Sequence, residues 1–223
     1  MRQSSADLNR IRLHGRLEEG PVFSHVNHDV EFYRFPLCVS RLSGAEDRVY
    51  VVAPQALLEQ CPGLSAGEEV TVLGEVRTFN NRSGTGSRLV INVFARELRR
   101  EWGEDENRLE LSGTLCKEPS LRVTPLGRTI CDMILAVNRR YGRADYLPCI
   151  TWGSLARRCG AMGVGDRLHL SGRLQSRGYT KVVEGRQESR TAFEVSVMSL
   201  ESGAVWEEGG TACSVPAGLA QTE

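Results

Sequence analysis

The sequence lacks the features that would place it in a membrane, outside the cell or among the common enzyme classes. It has no run of 18 apolar residues, so we expect no transmembrane helix and no membrane partner. The N-terminal stretch MRQSSADLNR has no apolar signal core, so we expect a cytoplasmic protein. The motifs GxxxxGK[ST], HExxH and GxSxG are all absent. We therefore expect a protein that is not an enzyme.

Cysteine and histidine occur without any metal-binding or disulfide pattern. The seven cysteines are odd in number and form no CxxC pair, and most lie in apolar runs. The four histidines do not lie at metal-ligand spacings from these cysteines. We expect buried free thiols in a reducing compartment, with disulfides or a metal site as the weaker alternative, and no cofactor.

The chain repeats itself at an offset of 98 residues. The stretch NRIRLHGRL at Asn9–Leu17 returns as NRLELSGTL at Asn107–Leu115. Further positions align without a gap until the last hairpin, which is longer in the second copy. This predicts a first unit at residues 1–100, a charged linker at 101–106 and a second unit at 107–201. The tail at 202–223 is rich in Gly, Ala, Ser and Glu, and we expect it to be disordered.

Each unit shows the hydrophobic pattern of a small barrel. In the second unit, alternating apolar residues predict five strands, with a short helix between the third and fourth. Gly113 and Gly172 interrupt two of these strands, as expected where a strand bends sharply. The order β-β-β-α-β-β is that of the OB-fold, a five-stranded Greek-key barrel. We therefore predict an all-β protein of tandem OB-folds, with a small sandwich capped by a helix as the alternative.

The third strand of the second unit carries two aromatic residues on one face. Tyr146 and Trp152 are six positions apart, so they point the same way, whereas Leu147 and Cys149 suit the interior. Tyr141 and Tyr179 stand in neighbouring segments among arginines. Exposed rings between basic residues are typical of a surface that stacks single-stranded nucleic acid. Each ring taken alone could instead be a good strand former or a plug over the core.

Charge is distributed unevenly although the net charge of the whole chain is zero. Residues 107–200 contain 15 Lys and Arg against 8 Asp and Glu, a net charge of +7. Residues 9–100 carry 12 against 11, a net charge of +1, and residues 201–223 carry four acids and no base. A basic second unit favours a polyanionic partner.

The second unit resembles the bacterial single-stranded DNA-binding protein family. The resemblance rests on NRLELSGTLCKEPSLRVTPLGRTICDMILAVNRR, YLPCITWGSLARR, VGDRLHLSGRLQSRGY and FEVSVMSLE, which together cover nearly all of residues 107–201. It implies an OB-fold whose outer face stacks bases on Tyr141, Tyr146, Trp152 and Tyr179 (the aromatic set). It also implies assembly of four OB-folds, which a chain with two would reach as a homodimer.

Two departures from the family pattern stand out. At the 98-residue offset the aromatic set becomes Ser43, Arg48, Pro54 and Asn81, and we place Phe79 and Tyr50 off the outer-face register. We therefore expect the first unit to be a degenerate copy that binds DNA weakly or serves mainly in assembly. The chain also ends in AGLAQTE rather than an acidic tip with a terminal aromatic residue, which argues against partner recruitment through the tail.

The sequence thus predicts sequence-independent binding of single-stranded DNA, in replication, repair or recombination. Bases stack on the aromatic set, and basic side chains neutralise the phosphates. These basic side chains (the basic set) are Arg122, Arg139, Arg140, Arg143, Arg173, Arg177 and Lys181. The alternatives are an RNA-binding OB protein, a replication-restart accessory protein and a protein-interaction adaptor.

Overall fold

The chain forms two β-barrels of the same design. The computed structural model describes residues 6–81, 89–183 and 186–202. The first unit comprises β1 (Asn9–Leu17), β2 (Val22–Asn27), β3 (Val30–Ser40), β4 (Glu46–Pro54), α1 (Gln55–Glu59), β5 (Glu69–Asn80) and β6 (Leu89–Arg100). The second comprises β7 (Glu106–Leu115), β8 (Ser120–Val123), β9 (Thr129–Asn138), a 3-10 turn at Arg140–Gly142, β10 (Ala144–Trp152), α2 (Gly153–Cys159), β11 (Arg167–Val183) and β12 (Arg186–Ser202).

Five strands close each barrel, as the sequence predicts. In the first unit the order around the barrel is β1-β3-β4-β6-β5, and β5 pairs with β1 again. The second unit repeats this as β7-β9-β10-β12-β11. Each unit has a sixth strand that the sequence pattern does not predict, β2 or β8, which pairs only with the next strand along the chain. These two strands are short and largely exposed, so they carry little hydrophobic signal.

The barrel interiors are filled by the alternating residues that the pattern indicates. Leu109, Leu111, Leu147 and Cys149 are all buried, as expected. Ile150 is buried as well, although its position assigns it to the outer face. It has a paired neighbour on both sides, Asp132 on β9 and Ser196 on β12, so adjacent side chains cover it.

Gly172 is required where β11 turns the corner of the second barrel. The register of β11 against β12 shifts between Ser171 and Gly172, which is a β-bulge. A Cβ atom at Gly172 would collide with the backbone carbonyl oxygen of Ser196. Gly74 occupies the equivalent bulge in the first unit, against the carbonyl of Phe94. The predicted bends at glycine thus correspond to close approaches of two backbones.

The two units join through β1 and β7, which pair antiparallel over six residue pairs. Ile11 lies opposite Leu109, and these two residues are equivalent at the 98-residue offset. A pseudo-two-fold axis therefore passes through this pair and relates one unit to the other. The result is one continuous sheet of 12 strands rather than two barrels on a flexible connection.

Two aspartates, each ion-paired within its own unit, accept backbone hydrogen bonds from the other unit and so hold the units together around this axis. Asp145 of the second unit accepts hydrogen bonds from Arg139 Nε, at 2.6 Å, and from the backbone N–H of Thr78 in the first unit, also at 2.6 Å. Asp47 of the first unit likewise accepts from Arg41 Nε and from the backbone N–H of Ser176, both at 2.8 Å. These contacts are hereafter called the aspartate clamps.

The Asp145 clamp stabilises the carboxylate in its charged form. Burial by itself would raise the pKa of Asp145, but hydrogen bonds from Arg139, Thr78 and Arg77 outweigh burial and hold the pKa below its usual value. Asp145 lies inside β10 rather than in a loop. The interface between the units therefore includes a buried, fully hydrogen-bonded charge.

The cysteines only partly follow the predicted burial. All six described cysteines are free, and Cys61, Cys131, Cys149 and Cys159 are buried. Burial raises the pKa of the Cys131 thiol to about 11. Cys38 is half-buried and Cys116 is exposed, because Cys116 follows the end of β7. Within the described ranges, the chain has no helix of the length and apolarity needed to cross a membrane.

Candidate nucleic-acid interface

The aromatic set is exposed on the second unit. Tyr141 is 96% exposed, Tyr146 52%, Trp152 40% and Tyr179 37%. Tyr146 and Trp152 lie near the two ends of β10, outside the short stretch at Cys149–Ile150 where that strand pairs with β12. Because β12 does not flank them there, both rings stay open on that side of the strand. The interpretation of Trp152 as a core plug therefore fits its exposure poorly.

Strand register places three arginines of the basic set on the same face as these rings. Trp152 lies opposite Ile130, and Ile130 opposite Arg122, so Arg122 and Trp152 share one row across β8, β9 and β10. Two strand spacings separate them, about 10 Å. Ile150, Ser196 and Arg173 form the adjacent row.

Along β11 the outer face continues toward the tip of the hairpin. Arg173, Arg177 and Tyr179 alternate with inward positions and thus point to one side of the strand. Leu174, between the first two, is fully buried and marks the opposite side. The hairpin formed by β11 and β12 therefore extends the basic and aromatic face beyond the barrel.

Tyr141 is presented by a strained turn. Its φ of 66° lies in the left-handed region, which is uncommon for residues other than glycine. The turn is closed by a hydrogen bond of 2.7 Å from Arg139 N–H to the carbonyl of Arg143. Tyr141 and Arg140 line a groove together with Asn9, Arg96 and Asn138. Strain of this kind marks a side chain held in a fixed, exposed position.

Four guanidinium groups of the basic set have no carboxylate or hydrogen-bond partner within the described part of the chain. Arg140, Arg143 and Arg177 are exposed. Arg173 is half-buried, and its Nε atom is buried without a hydrogen-bond partner. A buried donor without a partner is unfavourable unless a ligand supplies the acceptor. These four residues are the best candidates for phosphate contacts.

Arg122 and Arg139 of the basic set differ from these four because each is paired with an aspartate. Arg122 donates to Asp132 at 2.6 Å on the exposed surface, so a phosphate would have to compete with that carboxylate. Arg139 is committed to the Asp145 clamp and is mostly buried, which removes it from the phosphate-binding surface. The side chain of Lys181, and residues 203–223 of the predicted disordered tail, lie outside what the structure describes.

The first unit differs from the sequence-based expectation. Arg48, which corresponds to Tyr146, is paired with Glu18, and its guanidinium lies 5.1 Å from the ring centre of Tyr50. The placement of Phe79 and Tyr50 off the outer-face register was wrong. Phe79 lies three residues after the buried Val76 on β5, so the two side chains point to opposite faces of the strand. The Phe79 side chain is 50% exposed. Tyr50 likewise lies between Val49 and Val51, which are both fully buried.

Sequence reasoning also missed the aspartate clamps, although a signal was available. Arg41 and Asp47 align with Arg139 and Asp145 at the 98-residue offset. A charged pair retained at matching positions of both units indicates a shared structural role. Antiparallel pairing of the units, which no local pattern indicates, makes that role an inter-unit contact.

Comparisons with known proteins agree with this geometry. The profile of the "Single-strand binding protein family" matches residues 106–201. The "Single-stranded DNA-binding protein" of Clostridium tetani is 38% identical over 80 residues, which cover 33% of this chain and 55% of that protein. The corresponding protein of Deinococcus radiodurans is 25% identical over 195 residues, covering 76% of this chain and 64% of that protein.

A solved structure resembles the entire described fold. The single-stranded DNA-binding protein from Thermus aquaticus superposes with a TM-score of 0.73 at 22% identity, covering 93% of this chain and 98% of that one. At this identity the likeness establishes the fold, two tandem OB-folds. The chain spans about half the length of the first curated relatives it matches. The second unit thus matches the single-strand binding protein family over residues 106–201, and the fold of the chain is that of two tandem OB-folds.

Proposed function

We propose that the protein binds single-stranded DNA without sequence preference, chiefly through the outer face of the second unit. One observation supports the proposal: the second unit exposes four aromatic rings and also carries four arginines that have no acidic partner in the described chain. Rings supply stacking surfaces to any base, and arginines neutralise phosphates regardless of sequence.

The shape of this surface favours a single strand over a duplex. In a duplex the base faces are stacked on each other and cannot reach Tyr146 or Trp152. An extended strand running along β10 would present one base to each ring, with other nucleotides between them, since the rings are about 20 Å apart at the rise of a β-strand. The names of related proteins favour DNA as the ligand. The proposal extends to a role in replication, repair or recombination, in the cytoplasm.

The same proposal includes a homodimer that presents four OB-folds. The sheet ends at β2 on one side and β8 on the other, and neither strand has a second partner in the described chain. Phe23, Val26 and Val123 on these edge strands are each more than half exposed. Unpaired, apolar edges are favourable sites for pairing between copies. Light scattering on the purified protein would report twice the mass of the chain.

A fluorescence-anisotropy titration tests the binding proposal. Labelled oligo-dT and the same label in a duplex are titrated at low and moderate salt. We expect tight binding to the single strand alone, with affinity that falls steeply as salt rises. Equal binding of both forms, or none, would overturn the proposal.

Two further arms decide between the alternatives. An RNA-binding protein would prefer oligo-U over oligo-dT, because 2′-hydroxyl contacts distinguish the two. A protein-interaction adaptor would bind neither and would keep its partner at high salt.

A further inference from the structure

The first unit carries an aromatic groove that lies outside the aromatic set. It has a volume of about 540 Å³ and opens on the outer face of β4, β5 and β6. Phe32, Phe79 and Phe94 line it, together with His25 of β2. These positions are not the equivalents of the aromatic set, which in this unit are Ser43, Arg48, Pro54 and Asn81.

Phe79 is the open ring of the groove, whereas Phe32 is buried and Phe94 is covered by the guanidinium of Arg96 at 4.9 Å. Phe32 and Phe94 lie 5.6 Å apart between ring centres, and His25 stacks on Phe32 at 5.0 Å. Phe79 is 50% exposed, and the guanidinium of Arg139 lies 5.8 Å from its ring centre. An open ring of this kind offers a flat apolar surface to a planar ligand.

The walls of the groove are basic. Four arginines line it, namely Arg77, Arg96, Arg139 and Arg143. Arg77 and Arg96 are paired with Glu75, and Arg139 is paired with Asp145, so these three hold the wall in place and leave Arg143 as the cation for a ligand. Arg139 and Arg143 come from the second unit, so the site is complete only when both units are present. Arg143 is exposed and makes no ion pair within the described ranges, which leaves it available to an anionic ligand. A flat apolar floor with a cationic rim fits a nucleobase attached to its phosphate.

The groove is continuous with the interface already proposed. Arg77, Arg96 and Arg139 also line the neighbouring groove that contains Tyr141 and Arg140. A strand that stacks on Tyr141 therefore reaches the first unit by passing these arginines. Continuity and charge favour the same nucleic acid strand over a polypeptide as the occupant.

We propose that this groove is a second base-binding site, in which Phe79 stacks a base of the bound single strand and Arg143 contacts its phosphate. The proposal rests on the proposed function, because it takes the ligand to be single-stranded DNA. It replaces the expectation that the first unit binds DNA weakly or serves mainly in assembly.

Photo-crosslinking of the full chain tests the site directly. The probe is an oligo-dT of about 35 nucleotides, longer than two OB-folds cover at up to about 16 nucleotides each, with 5-iododeoxyuridine at single positions. We expect adducts on Phe79 or Phe94 as well as on the second unit. Adducts confined to the second unit would overturn the groove proposal and leave the proposed function intact. Absence of both binding and adducts would overturn both.

A matched set of variants measures the contribution of the ring. Phe79→Ala should weaken binding of this probe about 5- to 150-fold, the range of one lost stacking contact, and Phe79→Tyr should restore it. Trp102→Ala is the control, because Trp102 is an exposed ring between the two units that does not line the groove. An unchanged affinity in folded Phe79→Ala, or an equal loss in Trp102→Ala, would contradict the proposal.

Discussion

At the scale of single residues, exposure and pairing divide the basic and aromatic side chains into distinct roles. Trp152 and Arg173 are open to a ligand, whereas Arg139 is held by Asp145 inside the molecule. Residue type and position in the sequence do not distinguish the roles of these three residues. Only the contacts separate a residue that binds from a residue that supports.

The first prediction concerns Trp152. Trp152→Ala should weaken oligo-dT binding by about 1–3 kcal/mol, because one stacking surface is lost. Anisotropy titration measures the loss, and a thermal melt checks the fold. Trp102→Ala is the matched control, since Trp102 is 88% exposed and lies between the two units. A variant that unfolds would mean that Trp152 is a core plug.

The second prediction concerns Arg173. Arg173→Ala should lower the slope of log K against log salt by about 0.7, the value for one phosphate contact on a single strand. Arg108→Ala is the control, because Arg108 is exposed and already paired with Glu110 at 3.0 Å. Equal slopes for wild type and Arg173→Ala would show that Arg173 contacts no phosphate.

At the scale of elements, pairing between units determines what each loop can do. The turn after β9 supplies both Arg139, which clamps Asp145, and Tyr141, which is almost fully exposed. The clamp thereby fixes the base of the loop that presents the ring. Stability of the interface between units and geometry of the binding face are coupled through this short segment.

The third prediction concerns the Asp145 clamp and pH. The pKa of Asp145 is lower in the folded protein than its ordinary value, so its contribution to stability is present above that ordinary value. This contribution is lost as pH falls through the folded-state pKa, in the acidic range below about 4. Urea unfolding measured from neutral to acidic pH should show the loss in the wild type.

Two variants separate the contribution of the Asp145 clamp to stability from the contributions of other carboxylates. Asp145→Asn should lose about 3 kcal/mol or more at neutral pH, because two arginines then lack a buried counter-charge, and its stability should vary less with acidification. Asp132→Asn removes an exposed pair with Arg122 and should change little. A wild-type profile that matches that of a folded Asp145→Asn variant would contradict this assignment.

Much of each element was accessible from the sequence, and the remainder depended on partners distant in the chain. Alternation located the interior Leu147 and Cys149, and glycine located the bulge at Gly172. The burial of Ile150 was missed, since it requires β9 and β12 on both sides. The exposed position of Phe79 was missed although the repeat contains it: at the 98-residue offset Phe79 corresponds to Arg177, which lies on the outer face of β11.

At the scale of the whole molecule, the two units behave as one body because β1 and β7 share a ladder and the aspartate clamps close on both sides of it. Each barrel leaves one strand edge that only the other unit covers. A unit on its own would expose that edge to solvent and to other chains.

The fourth prediction follows from this edge. The second unit alone, residues 106–202, should form a dimer through β7, because the pseudo-two-fold axis at Leu109 becomes a true two-fold axis. Light scattering after gel filtration measures the mass. Replacing Leu111 by Pro on β7 should prevent pairing between two copies or prevent folding. Circular dichroism distinguishes a folded monomer from an unfolded chain. A folded monomer of the unaltered segment would show that the edge tolerates exposure.

The pseudo-two-fold axis has a consequence for how a strand is read. Two identical halves around a true two-fold axis would meet a DNA strand in the same way from either of its ends. Here the halves differ, with tyrosine and tryptophan on one side and phenylalanine on the other. In the proposed binding mode, the two directions in which a strand can cross both halves are therefore no longer equivalent in free energy. The molecule can then favour one 5′-to-3′ direction, which its symmetric architecture alone would not provide.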